Sequence, residues 1–156
     1  MPEQKALSVE DDIKNAALSA SLQRAYIDFC RFLEDNKFSV ETEADGNGWQ
    51  ILYANDYIGH LNFTHVGVWL DTCDFGDNGS ADDALKETTW AHVRICEHFS
   101  SDGRQCGCGN QPGSDKMLFG KLFEHLCFAH LEFLSPDSNT LETIKRLLLL
   151  FKQNRS

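Results

Sequence analysis

The chain has 156 residues, 42% of them apolar, with eleven Phe and three Trp. That bulk suffices for a buried core and excludes a disordered chain, whose signature is low hydrophobicity with high charge. With 24 acidic residues against 14 basic, the formal charge is −10, which sets the field against nucleic acid and anionic membranes and leaves a basic partner open.

Three prolines and no biased tract mark neither linker nor repeat, so residues 1–156 read as a single domain. The opening "MPEQKALSVEDDIKNAAL" lacks the basic region and apolar run of a secretion signal. The longest apolar run, "LLLLF" at Leu147 to Phe151, is far short of the ~20 residues that cross a bilayer. These features place the chain, as an expectation, in a reducing cytoplasm where thiols stay unbridged.

Ser8 with Asp11 three residues later reads as a capping box. Leu22, Tyr26, Phe29 and Leu33 form an apolar stripe, which predicts helix over about 9–35, broken near 19–21, with Asn36 as a left-handed stop. Four segments of period two follow: "KFSVETE", "WQILYA", "YIGHLNF" and "VGVWLDT". They predict four antiparallel strands joined by hairpins. Trp49, Ile51 and Tyr53 share one face, as do Tyr57, Leu61 and Phe63 on the next strand, and Val66, Val68 and Leu70 on the last.

Ser80 with Asp83 reads as a second capping box. It opens a helix over about 81–97 whose apolar side is Leu85, Thr88, Ala91 and Ile95. The tail "WAHVRI" also alternates as a strand would. Residues 116–134 predict a strand, or a short helix followed by one. The closing segment is plainer: Ser135 caps, Pro136 takes the first helical position, and Leu141, Ile144, Leu148 and Phe151 form the stripe. The expected fold is α+β: a four-stranded antiparallel meander packed by N-terminal and C-terminal helices, with a cysteine-rich loop.

That loop carries the chemistry. In "ICEHFSSDGRQCGCGNQPG", Cys106 and Cys108 are separated by one glycine, whose backbone freedom lets both sulfurs turn to one point. A disulfide between residues so close would be strained. Zinc takes four tetrahedral sulfur or nitrogen ligands. Cys96 supplies a third and Cys127 the fourth, with His98 as the alternative fourth ligand and His125 after it. The spacing C-x9-C-x-C-x18-C matches none of the paired-knuckle finger patterns. Residues 100–116 hold almost no apolar group, so burial alone would not order them, whereas a structural zinc contributes ~10–16 kcal/mol in small peptides. The expectation is a structural zinc within residues 96–127, with Arg94, Arg104, Lys116 and Lys121 available to offset thiolate charge. Cys30 reads as a small buried hydrophobe and Cys73 as a loop thiol.

Other chemistries fail on spacing. H-E-x-x-H is absent, "GCGNQPG" lacks G-K-[ST], and the loop from Asp74 puts Gly76 and Leu85 where a calcium loop needs oxygen ligands. Four cysteine ligands leave zinc no open position for hydrolysis. A three-cysteine site would free Glu97, His98 or Glu124 for acid–base work. Trp49, Tyr53, His60 and Trp69 are the candidates for a pocket on a curved sheet face. The functional expectation is therefore a non-catalytic binding or interaction module with a structural zinc, its partner a protein or small molecule. A small-molecule sensor or carrier, and a zinc- or thiol-dependent enzyme, are the alternatives.

Overall fold

Ser8 opens the first helix as its sequence dictates, its Oγ accepting the Asp11 N–H at 3.1 Å. The computed structural model describes residues 8–43, 48–72, 74–76, 81–95 and 114–155, with the backbone alone for 114 and 127–129. Its elements are α1 (Val9–Asn15), α2 (Ala20–Asp35), β1 (Phe38–Thr42), β2 (Trp49–Tyr53), β3 (Asp56–Asn62), β4 (Gly67–Leu70), α3 (Asp83–Ala91), β5 (Val93–Ile95), β6 (Ser114–Leu118), β7 (Lys121–Leu134) and α4 (Ser138–Asn154).

The architecture is mixed α+β, but among the described residues the sheet has seven strands rather than the four expected, in the order β1-β2-β3-β4-β7-β5 with β6 also paired to β7. β1 to β4 are the four segments of period two. The additional strands come from stretches where the sequence signal was mixed. α3 stops at Ala91 instead of running to 97, because the His92 carbonyl accepts the Glu132 N–H at 3.0 Å and is drawn into the sheet. Residues 93–95 then follow the alternation of "WAHVRI". β6 and β7 form a hairpin around Phe119 and Gly120, whose φ angles are +50° and +81°. Phenylalanine is a poor residue for a left-handed position, so nothing in the sequence announced this turn.

β7 organises the sheet. Leu131 pairs with Leu70 of β4 and with Val93 of β5, while Leu126 pairs with Ile95 of β5 and Ser114 of β6. One strand residue has one partner on each edge. β4 and β6 therefore lie end to end along one edge of β7, with β5 on the other.

One sheet face is covered by helices. Ile51, Leu61, Val68, Leu70, Leu131 and Phe133 are buried with Tyr26, Phe29 and Leu33 of α2 and Leu141, Ile144, Leu148 and Phe151 of α4. Both predicted stripes thus meet the core, apart from Leu22, which is only partly buried. Tyr53 meets Phe151 edge-on with ring centroids 5.8 Å apart, and Tyr26 meets Phe63 likewise at 5.6 Å. The Tyr26 hydroxyl donates to the Pro136 carbonyl at 2.9 Å, tying α2 to the turn before α4.

Three caps differ from expectation. α4 is capped by Asp137, which accepts the Thr140 N–H at 2.8 Å; Ser135 instead has φ +44° and donates its N–H to the Val66 carbonyl. Pro136 therefore precedes the cap rather than opening the helix. After α2 the left-handed residue is Lys37, φ +70°, while the Asn36 amide donates to the Phe32 carbonyl. α3 is capped by Asp82, which accepts the Leu85 N–H at 2.8 Å; Ser80 lies outside the described residues.

Replacing Tyr26 by Phe leaves the shape intact and strands the Pro136 carbonyl. Urea denaturation of Tyr26→Phe should show a loss of about 1–2 kcal/mol.

Candidate functional site on the outer sheet face

The expected zinc ligands fall mainly outside what the structure describes. Cys96, Cys106 and Cys108, and the alternative ligand His98, lie outside the described residues, as do Cys73 and Arg104. Cys127 is placed by its backbone in β7, next to Leu126. Among the described residues, no three His, Cys, Asp or Glu side chains are grouped to hold a metal. Cys30 is 5% exposed in the core, and burial, followed by the charge of Glu10, pushes its thiol pKa up to about 12.

The four aromatic candidates divide between the two faces of the sheet. Trp49 is 6% exposed in the core, its indole N–H donating to Asp12 at 2.8 Å. Tyr53 lies on the same face, between Phe38 and Phe151. His60 and Trp69 occupy the opposite face. They are direct cross-strand partners, and their rings stack 4.7 Å apart at an interplanar angle of 9°. The reason is period two: Trp49 pairs with Leu61 and Gln50 with His60, so Trp49 and His60 cannot share a face. These four do not form one pocket.

The outer face instead carries a row of polar and aromatic groups across four strands. Next to His60 and Trp69, the indole N–H donates to Glu132 at 2.9 Å, and Glu132 accepts from Arg94 at the same distance. The row runs β3, β4, β7, β5. Arg94, expected to serve thiolates, is held here by a carboxylate. Lys121 lies over the Trp90 and Phe123 rings, 5.3 Å from each centroid. Gly67 makes room for the row: a Cβ there would lie 2.5 Å from the Trp69 ring. At its β5 end, an open cleft of about 560 Å³ is lined by His92, Arg94, Ile95 and Glu132 among others.

At the other end sit two groups the sequence did not single out. A bulge sets Ile51 against Gly59 but Leu52 against Tyr57, so Ile58 is an extra residue on β3. It turns Tyr57 away from Leu61 and Phe63, with which it was expected to share a face. Those two are buried, whereas Tyr57 is 39% exposed. The Tyr57 hydroxyl bonds to His60 Nδ1 at 2.9 Å. Beside it, both carboxyl oxygens of Asp71 are buried and lack a hydrogen-bond partner of good geometry among the described residues.

Burial lifts the Asp71 pKa to about 6. The nearby Tyr57 hydroxyl opposes that rise and the charge of Glu43 adds to it. Burial first, then Asp71 and Glu43, raise the Tyr57 phenol. Burial lowers His60, against a smaller upward pull from Glu43. Such perturbed groups, clustered on one surface, are what a site requires. Tyr57 and Asp71 were missed because a bulge and a strand-end burial leave no compositional mark.

Compared with family models, curated proteins and solved structures, the chain matches none.

Because Asp71 binds its proton more tightly folded than unfolded, its ionisation works against the fold. That penalty is absent well below pH 4, where the unfolded carboxyl is protonated too, grows between about pH 4 and 6, and levels off above. Solvent still reaching the side chain screens it to about 1 kcal/mol. Urea midpoints at pH 4.5 and pH 7.5 should show Asp71→Asn gaining more stability relative to wild type at the higher pH. Gly67→Ala should displace the indole, read as a shifted Trp69 ring signal by NMR.

Proposed function

We propose that the chain is a non-catalytic binding module whose cysteine-bearing excursion, residues 96–113, is stapled by one structural zinc. Its ligands in this reading are Cys96, Cys106, Cys108 and Cys127, with His98 the alternative fourth. The observation that carries the reading is the path of the backbone around Leu126. β5 ends at Ile95, paired with Leu126 on one edge; β6 begins at Ser114, paired with the same residue on the other. Adjacent strands are about 4.8 Å apart, so the two ends of the excursion stand roughly 10 Å apart across β7. Cys96 follows Ile95 in the chain, and Cys127 follows Leu126. A loop whose ends are this close, and which holds almost no apolar group, gains its order from a cross-link more readily than from burial. Thiolate ligands of this kind belong in a reducing compartment such as the cytoplasm.

The bound partner in this reading is a protein or small molecule that meets the outer sheet face. The open His60–Trp69 stack favours the small-molecule sensor or carrier as the second reading. No helix among the described residues is long and apolar enough to cross a membrane.

Elemental analysis and thiol titration of reduced, native protein test the zinc. The expected result is one zinc per chain, with Cys73 the single fast-reacting thiol and four more released by a chelator; Cys30 stays protected by burial. Cys106→Ser and Cys108→Ser should lose the metal and lower Tm, while Cys73→Ser changes neither. Folded, metal-free protein with the four thiols freely reactive ends the reading.

A further inference from the structure

We propose that Asp71, Tyr57 and His60 form a proton-linked relay that sets which imidazole nitrogen of His60 is protonated, and so what the outer face offers a ligand. The geometry is a short chain. His60 Nδ1 bonds to the Tyr57 hydroxyl at 2.9 Å, and that hydroxyl lies close enough to interact with the Asp71 carboxyl, whose two buried oxygens have no hydrogen-bond partner among the described residues. Tyr57 has one proton and two acceptors competing for it.

When Asp71 is ionised, its buried carboxylate is the stronger claimant, because an unpaired buried charge is the costliest group in the cluster. Tyr57 then donates to Asp71, and its oxygen accepts from His60 Nδ1–H. The neutral imidazole has only one N–H, so Nε2 is left bare and the face offers a hydrogen-bond acceptor. When Asp71 is protonated, its O–H donates to the Tyr57 oxygen, Tyr57 donates to His60 Nδ1, and the ring proton sits on Nε2. The face then offers a donor. No bond but O–H and N–H changes, and the cluster takes up one proton.

The surroundings are consistent with a neutral ring. Burial disfavours the imidazolium, and Trp69 lies flat against it. The neighbours that bear on the relay are Glu43 just past β1, whose charge acts on all three members, and Gln50 of β2 opposite His60. Glu132 of β7 is engaged by Trp69 and Arg94. The relay is built from β3 and the residue that follows β4 and holds whether or not zinc is bound.

The test is ¹⁵N–¹H NMR of the His60 ring in the full chain at pH 7.5, the signal assigned by its loss in His60→Gln. Wild type should show a protonated Nδ1 and a bare Nε2. Asp71→Leu, which removes the competing acceptor, should move the proton to Nε2. Tyr57→Phe should give the same Nε2–H form and decides the matter if Asp71→Leu does not fold. Lowering the pH on wild type should drive the same exchange before the ring takes its second proton. A wild-type ring already protonated at Nε2 at pH 7.5 overturns the relay. So does a folded variant that keeps the wild-type tautomer.

Discussion

The pairing of β7 along both of its edges is the constraint on which the rest of the molecule depends. Its fourteen residues receive β4 and β6 on one side and β5 on the other. Without that strand the β1–β4 meander would end in an open edge at β4, and the hairpin β6–β7 would have no sheet to join. The strand reconciles two registers through a left-handed residue at His125, φ +58°, and irregular pairing with β5 and β6. Bulges of this kind re-aim side chains where a straight ladder would not. The same device in β3 turns Tyr57 outward and so assembles the outer-face cluster.

The two faces of the sheet carry opposite chemistry. The inner one is closed by α2 and α4, whose stripes meet Ile51, Leu61, Val68 and Phe133 in a continuous apolar core. The outer one holds Tyr57, His60, Trp69, Glu132 and Arg94, linked by hydrogen bonds and ring stacking rather than by burial alone. A face tied together in this way is costly to leave half satisfied, and the Asp71 carboxyl, without a hydrogen-bond partner among the described residues, is where that cost concentrates.

Much of the fold was legible in the sequence. The helix break before α2, the four strands of the meander and the stripe of α4 follow from period and composition, because each is decided within a dozen residues. The added strands were not so legible. "WAHVRI" fits both a helix tail and a strand, and the choice is made by pairing with β7, through the hydrogen bond from Glu132 to the His92 carbonyl and the partners of Val93 and Ile95. The Phe119–Gly120 turn uses a residue that does not favour it. Caps shifted by one or two positions, from Ser135 to Asp137 and from Asn36 to Lys37, since several acceptors compete within one turn.

Of the candidate site, the sequence alone determined the residue types: three thiols on a loop with almost no apolar group, an alternating aromatic meander, and a strong negative charge. Those are properties of composition and spacing. Which aromatics share a face was decided by tertiary structure, because cross-strand register lies outside any one segment: it put Trp49 and Tyr53 in the core and His60 and Trp69 outside. The burial of Asp71 and its approach to Tyr57 depended on the bulge in β3 and on the end of β4. Neither has a local signature, since a buried carboxylate and a solvated turn aspartate are written with the same letter.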